Sequence, residues 1–344
     1  MPGPAQPSIS KPSRCVAKPV PPPTVATISA GSAQENLNFG YRPGALSGYA
    51  YLDANRNNLR DGGEAGLSGV TITGPGNQTQ LTDANGFYQF SDVLSDTYAV
   101  SSTATANGYA LSTTSPLSVV VAAPATTPNV NFGYVPGSIS GYTYVDANAN
   151  NVRDAGDAPI PGVIITGPNG TSRTTDANGY YEFTNLQATT YTMTAPNSAA
   201  GYGLSTAMSL TAPLAAGASV ADLNFGYRPG SLSGFAYLDA NGNFTKDAGE
   251  LTLEGVTITL SGIGTATTDA TGAYRFTNLV ANTYSLTAPV QAGGLGLTTP
   301  SPLAPTLTAG GTQSDLNFGY RPGTISGFAY VDSNLNNVKD AGEP

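Results

Sequence analysis

Short stretches of alternating apolar and polar residues, broken every few positions by Gly, Pro, Asn or Asp, run through most of this 344-residue chain. Leu46-Ser47-Gly48-Tyr49-Ala50-Tyr51-Leu52 has the two-residue period of a half-buried strand, and Val70-Thr71-Ile72-Thr73 repeats it. Thr82-Asp83-Ala84-Asn85-Gly86 reads as a hairpin turn into Phe87-Tyr88-Gln89-Phe90, because Asn and Gly tolerate the positive φ of such turns. Further strands are predicted at Thr97–Ser102, Ser118–Val121 and Asn129–Phe132. No segment carries a convincing amphipathic-helix pattern. About seven short strands with Pro- and Gly-rich punctuation predict an all-β fold of the sandwich type.

The pattern repeats. Asn-Phe-Gly-Tyr recurs with its Phe at 39, 132, 225 and 318, so every interval is 93 residues. A period this long is a whole domain, since solenoid repeats run roughly 20–50 residues. Three complete modules are expected, at 44–136, 137–229 and 230–322. Residues 24–43 match closing strands and 323–344 match an opening strand plus the loop that follows it, while 1–23 form a Pro-rich basic arm with Lys11, Arg14 and Lys18.

Composition removes several chemistries. The chain has no His and one Cys, Cys15, to which no role is assigned, so imidazole catalysis, His-ligated zinc and an intrachain disulfide are excluded. A net charge of −9 opposes phosphate binding, so neither nucleic acid nor an anionic membrane is an expected partner. No stretch approaches the ~20 apolar residues of a membrane span, and residues 1–23 lack the apolar centre of a secretory signal. The acidic residues outside motif loops and turns are Glu35, Asp92, Asp96, Glu182, Asp222, Glu254 and Asp315, which form no catalytic pattern. No enzyme is expected.

The other carboxylates are concentrated. After the first strand, Asp53, Asn55, Asn57, Asp61 and Glu64 occupy positions 1, 3, 5, 9 and 12 of a loop, with the Leu59 carbonyl at position 7. That is the spacing by which a twelve-residue loop wraps Ca²⁺ with oxygen ligands. The second module offers Asp146, Asn148, Asn150, Val152, Asp154 and Asp157, and the third Asp239, Asn241, Asn243, Thr245, Asp247 and Glu250. The tail offers Asp332, Asn334, Asn336, Val338, Asp340 and Glu343. The plainer alternative is a set of metal-free surface turns rich in Asp and Asn. Against it, the four loops hold 12 of the 22 acidic residues, and such crowding is costly unless a cation neutralises it. Two departures, Asp157 at position 12 and Phe244 at position 6, predict weaker or altered binding in the second and third modules. Because strands and turns flank the loops, calcium is expected to stabilise rather than signal.

Asp83, Asp176 and Asp269, each in Thr-Asp-Ala-(Asn/Thr)-Gly, are expected to cap their own turns in preference to binding metal. Asn77, Asn169 and Asn243 open glycosylation acceptor patterns, with Asn77 and Asn169 the candidates and Asn243 claimed by the loop. Tyr41, Tyr134, Tyr227 and Tyr320 are expected in core or inter-module packing rather than stacked on sugars.

The order Ser-Gly-aromatic-(Ala/Thr)-Tyr-(Leu/Val)-Asp-x-Asn-x-Asn, then Asp-x-x-(Glu/Asp), Gly-Val-x-Ile and Thr-Asp-Ala-x-Gly-x-Tyr-x-Phe, resembles the SdrD B-like domain over about 44–344. These are the calcium-binding B repeats of bacterial serine-aspartate-repeat surface adhesins, related to collagen-adhesin B-type modules. The resemblance implies tandem Ig-like or prealbumin-like β-sandwiches, an extracellular cell-surface location, and a calcium-stiffened stalk with the loop residues above as ligands. The chain lacks a serine-aspartate tail and a wall-sorting signal, and residues 19–245 contain no Lys, so modules one and two have no Lys-Asn isopeptide crosslink. Two assemblies stay open. One is a head-to-tail filament in which the tail strand of one copy completes the head of the next, locked by calcium. The other is a stalk fragment of a larger adhesin that presents a ligand-binding domain.

Overall fold

The computed structural model describes residues 40–344, so the arm at 1–23, Cys15, Glu35 and residues 24–39 lie outside the described residues. The first unit is built around β1 (Gly44–Leu52), followed by β2 (Thr71–Thr73), β3 (Thr79–Leu81), β4 (Phe87–Val93) and β5 (Asp96–Ser102). It continues with β6 (Thr105–Ala106), β7 (Tyr109–Leu111), β8 (Leu117–Val121), β9 (Thr126–Thr127) and β10 (Phe132–Val135). One sheet runs β4-β1-β10-β7-β6, with β9 also on β1, and the other runs β3-β2-β5-β8. The all-β sandwich expected from the alternation is present, and it repeats twice more.

Strand β1 is buried along nearly its whole length, not on alternate residues. It is a central strand: antiparallel to β4, with Leu46 opposite Phe90, and parallel to β10, with Ala50 opposite Phe132. The turn at Thr82–Gly86 is a second departure. β3 pairs with β2 and β4 with β1, so this turn carries the chain from one sheet to the other instead of closing a hairpin. The closing strand also begins later than expected, at Phe132, because Asn129 takes φ 64° and the Val130 amide donates to Ser47 O at 3.1 Å.

The Asn-Phe-Gly-Tyr motif has a physical reason at each position. Asn131 Oδ1 accepts from the Tyr49 amide at 2.9 Å, and Phe132 is fully buried. Tyr134 is buried with its hydroxyl donating to Thr103 O at 2.8 Å. Tyr227 and Tyr320 are buried likewise, whereas Tyr41 is 76 % exposed. Leu46, Ile72, Phe90, Val100 and Phe132 fill the space between the sheets. Each such side chain contributes about 1.5–3 kcal/mol by leaving water. Gly48 belongs to the same packing, since a Cβ there would stand 1.8 Å from Val130 O.

The second unit sets Gly137–Val145 between Tyr180–Leu186 and Phe225–Arg228, and the third sets Gly230–Leu238 between Ala273–Leu279 and Phe318–Arg321. In the third, the outer sheet is split, with Asn282–Thr283 and Thr306–Leu307 paired apart from the other three strands. Successive units touch through backbone. Ala188 N donates to Gly108 O and Ala281 N to Gly201 O, each at 2.8 Å and each pair one period apart. A Cβ on Gly217 would lie 2.7 Å from Ala110 Cβ, so the two units meet closely there as well.

Residues 323–331 form no strand. Ile325 and Phe328, equivalent by period to the buried Leu46 and the strand residue Tyr49, stand exposed because no neighbouring strand pairs with this segment.

Candidate functional site

At the end of β1 the chain leaves the sheet at Asp53, whose amide donates to Tyr134 O at 2.8 Å. This anchors the aspartate between β1 and β10, and Asp53, Asp146 and Asp239 are all fully buried. The loop then wraps around the carboxylate. Asn57 N donates to Asp53 Oδ1 at 3.0 Å and to Asn55 Oδ1 at 3.1 Å, and Leu59 N to Asn57 Oδ1 at 2.8 Å. Asp61 Oδ2 accepts from Asn55 Nδ2 at 2.8 Å and from Asn57 Nδ2 at 2.7 Å. Glu64 Oε2 accepts from the Asp61 amide at 3.0 Å.

Asp and Asn suit this wrapping because their short side chains bond to amides two to four residues ahead. Positions 4 and 6 take left-handed φ in every copy: Arg56 and Asn58, Ala149 and Asn151, Gly242 and Phe244, Leu335 and Asn337. Phe244, the departure at position 6, therefore makes the same turn, at φ 65°. The bond from position 5 to the opening Asp recurs in each loop: Asn150 to Asp146, Asn243 to Asp239 and Asn336 to Asp332. So do the paired bonds onto position 9, from Asn148 and Asn150 to Asp154, Asn241 and Asn243 to Asp247, and Asn334 and Asn336 to Asp340. Side-chain amides hold Asp61, Asp154 and Asp247 below the ordinary carboxylate pKa, with Asn55, Asn148 and Asn241 the larger cause in turn.

The position 12 residues differ by reach. Glu250 Oε1 closes back on the Ala240 amide and Glu343 Oε1 on the Ser333 amide, each at 3.1 Å, while Glu64 Oε1 is buried without a partner. Asp157, one methylene shorter, bonds only the Asp154 amide, at 2.8 Å. The position 7 residues Leu59, Val152 and Val338 point their side chains into solvent, which leaves only a backbone carbonyl for a ligand role. Thr245 N donates to Asn243 Oδ1 at 2.9 Å, as Leu59 N does to Asn57.

The donor set is thus carboxylate, amide and carbonyl oxygen, the chemistry a hard cation takes. Among the described residues, no group of three or more carboxylates is gathered closely enough to hold a metal unaided, so Asn and backbone oxygens are needed to complete a shell. Two buried oxygens in these loops, Glu64 Oε1 and Asp239 Oδ2, have no partner, and a cation would supply one.

Three features of the loop were not read from the sequence. The position 8 cation lies over the aromatic of the preceding strand: Arg60 on Tyr49 at 3.8 Å, Arg153 on Tyr142 at 4.0 Å, Lys246 on Phe235 at 5.2 Å and Lys339 on Phe328 at 5.6 Å. Its recurrence at one period was the available signal. Ser112 Oγ donates to Asp53 Oδ2 at 3.0 Å from 59 residues away, which no local spacing predicts. Tyr51, Tyr144 and Tyr237 each bury a hydroxyl with no partner beside the loop. Burial first, then the charges of the neighbouring loop carboxylates, pushes each of these three phenols up to about 12.

Asp83, Asp176 and Asp269 cap their turns. Asp83 Oδ1 accepts from the Asn85 and Phe87 amides, both at 2.8 Å, and the other two repeat the arrangement. Asn77 and Asn169 sit exposed in short turns at φ 60° and 54°.

The model of the SdrD B-like domain matches residues 44–118, 137–214 and 230–315. The chain is 30 % identical over 316 residues to serine-aspartate repeat-containing protein F of Staphylococcus epidermidis, covering 76 % of this chain and 18 % of that protein. It is 29 % identical over 315 residues to serine-aspartate repeat-containing protein D of Staphylococcus aureus strain Newman, covering 79 % of this chain and 23 % of that one. It therefore spans about a fifth of the length of these relatives. Among solved structures, the TIE protein of Bacillus anthracis aligns at TM-score 0.48 and 16 % identity, covering 81 % of this chain and 51 % of that one. The major pilin subunit BcpA of Bacillus cereus aligns at TM-score 0.39 and 10 % identity, covering 81 % and 99 %.

Proposed function

The chain belongs to the SdrD B-like domain family, and from that premise we propose that its three β-sandwiches form a calcium-stiffened stalk segment of a bacterial surface protein. It is a cell-surface protein with a structural role, and no helix among the described residues is long and apolar enough to cross a membrane. The observation that carries the calcium reading is the fourfold loop, in which an Asp, buried in the three modules, two Asn and two further carboxylates recur at one spacing. Partnerless oxygens at Glu64 and Asp239 favour a cation over a plain turn. Such a cation would be held by Asp53, Asn55, Asn57, the Leu59 carbonyl, Asp61 and Glu64, and by their equivalents in the other loops. The two Asn side chains would turn their oxygens inward in place of the nitrogens that now face Asp61. Bound at ~100 times its dissociation constant, each ion would add ~2.7 kcal/mol to stability.

Calorimetric titration of chelator-stripped protein with calcium, and separately with magnesium, tests this. Saturable calcium binding with a rise in melting temperature is expected, with a weaker response to magnesium. No heat and no thermal shift with calcium would end the reading.

A second reading concerns assembly. The exposed apolar residues Ile325, Phe328 and Val331 favour burial of this segment against a strand from a second copy, giving head-to-tail association. Deleting 323–344 is then expected to abolish concentration-dependent growth in mass by light scattering, and unchanged association would refute it.

A further inference from the structure

Each of the three modules opens its loop with a fully buried aspartate, and a buried carboxylate oxygen is costly unless donors surround it. In the first module Asp53 Oδ2 receives two, from Asn58 N at 3.1 Å and Ser112 Oγ at 3.0 Å. In the second Asp146 Oδ2 receives the same two, from Asn151 N at 3.2 Å and Ser205 Oγ at 2.7 Å. The third breaks the pattern, because Asp239 Oδ2 has no partner. One period on, the places of Asn151 and Ser205 are taken by Phe244 and Thr298, and neither the Phe244 amide nor the Thr298 hydroxyl reaches the carboxylate. Thr298 Oγ1 is itself buried and unpartnered, so a donor and an acceptor both go unsatisfied in one module.

Position in the fold explains the serine. Ser112 lies just past β7 and its amide donates to Gly133 O at 2.8 Å, which brings the side chain up behind the loop from the far side of β10. Thr298 keeps the equivalent backbone bond, to Gly319 O at 2.7 Å. A Cβ on Gly319 would stand 2.8 Å from Thr298 Oγ1, as one on Gly226 would from Ser205 Oγ, yet the β-branched threonine, stiffer at χ1 than serine, makes no bond to Asp239.

We infer that Ser112 and Ser205 are positioning residues for the first carboxylate of their loops, and that the third module, with Thr298 and Phe244 in place of those donors, depends most on a bound cation for its fold. The second half rests on the calcium reading above; the first does not. A cation at Asp239 replaces two missing donors, whereas at Asp53 and Asp146 it adds to donors already present, the one unpartnered oxygen of the first loop being Glu64 Oε1 at its far end. Phe244 thus has a consequence opposite to weak binding: the cation-free state of its loop is the less stable one, so binding gains more.

Hydrogen exchange measured by mass spectrometry on the whole chain reads each module separately. In chelator, strand Gly230–Leu238 is expected to exchange faster than Gly44–Leu52 and Gly137–Val145 by roughly tenfold, the factor appropriate to a hydrogen bond to a charged group. Thr298→Ser is expected to slow the third module towards the other two, and Ser112→Ala to speed the first alone. Calcium is expected to slow the third module more than the first, and to narrow the gap. A third module as protected as its neighbours in chelator, or one unmoved by Thr298→Ser, overturns the positioning assignment. Calcium that alters no module overturns the cation dependence and the reading beneath it, while the chelator series still decides the serines.

Discussion

Replacing Tyr51 by Phe removes an oxygen that has no partner, whereas the same change at Tyr88 removes one that has. The Tyr51 hydroxyl is buried and unbonded, as are those of Tyr144 and Tyr237. The Tyr88 hydroxyl donates to Val130 O at 2.6 Å and that of Tyr181 to Leu223 O at 2.6 Å, with Tyr274 donating to Leu316 O. A buried polar group left unsatisfied costs about 1–3 kcal/mol, so deleting the lone hydroxyl should recover about 1 kcal/mol per module. Deleting the bonded one strands a buried carbonyl and should lose about 1–2 kcal/mol. Because the positions recur, the triple variants Y51F/Y144F/Y237F and Y88F/Y181F/Y274F change all three modules at once, and no transition needs to be assigned. For domains of this size 1 kcal/mol moves the melting temperature by about 4–8 °C. Calorimetry in chelator should therefore find the first variant raised by several degrees and the second lowered. A first variant that melts as low as the second would refute the reasoning, because its hydroxyls would then have partners.

Other consequences follow from the same geometry. Gly217→Val places a branched side chain at φ 67° against Ala110 Cβ, and is expected to loosen the joint between the first two units while each keeps its core; small-angle scattering should report a broader distance distribution at unchanged circular dichroism. The phenols of Tyr51, Tyr144, Tyr237 and Tyr320 are raised from 10.0 to about 12, so the unfolded chain releases protons first, and stability should fall as pH rises from about 10 to 12. Phenolate absorbance that develops with ordinary exposed-tyrosine titration, with no accompanying unfolding, would contradict this. Arg60→Ala removes the guanidinium over Tyr49, and should cost about 0.5–1 kcal/mol in the first module by urea denaturation.

The repeat, the strand-forming segments and the loop were legible in the sequence because their determinants are local. In the loop most side-chain bonds span two to six residues, as from Asn55 to Asp61, and the tail at 332–343 folds its loop through the same bonds although residues 323–331 form no strand. Asp83 capping its own turn is local in the same way. What tertiary structure decided are the relations that cross the fold. Alternation marked β1 as a strand, but only pairing with β4 on one side and with β10 and β9 on the other buried it nearly throughout. Asn85 and Gly86 marked a turn, but whether it joined two strands of one sheet or passed between sheets depended on which partners β3 and β4 found. Asp53 was readable as a loop acid, yet its complete burial and its bond to Ser112 depend on β7 and β10 closing over it. A side chain's donors are written in the sequence when they lie within one turn of it. When they arrive from strands tens of residues away, only the packed sheets determine whether a buried oxygen is satisfied, as at Asp146, or left alone, as at Asp239.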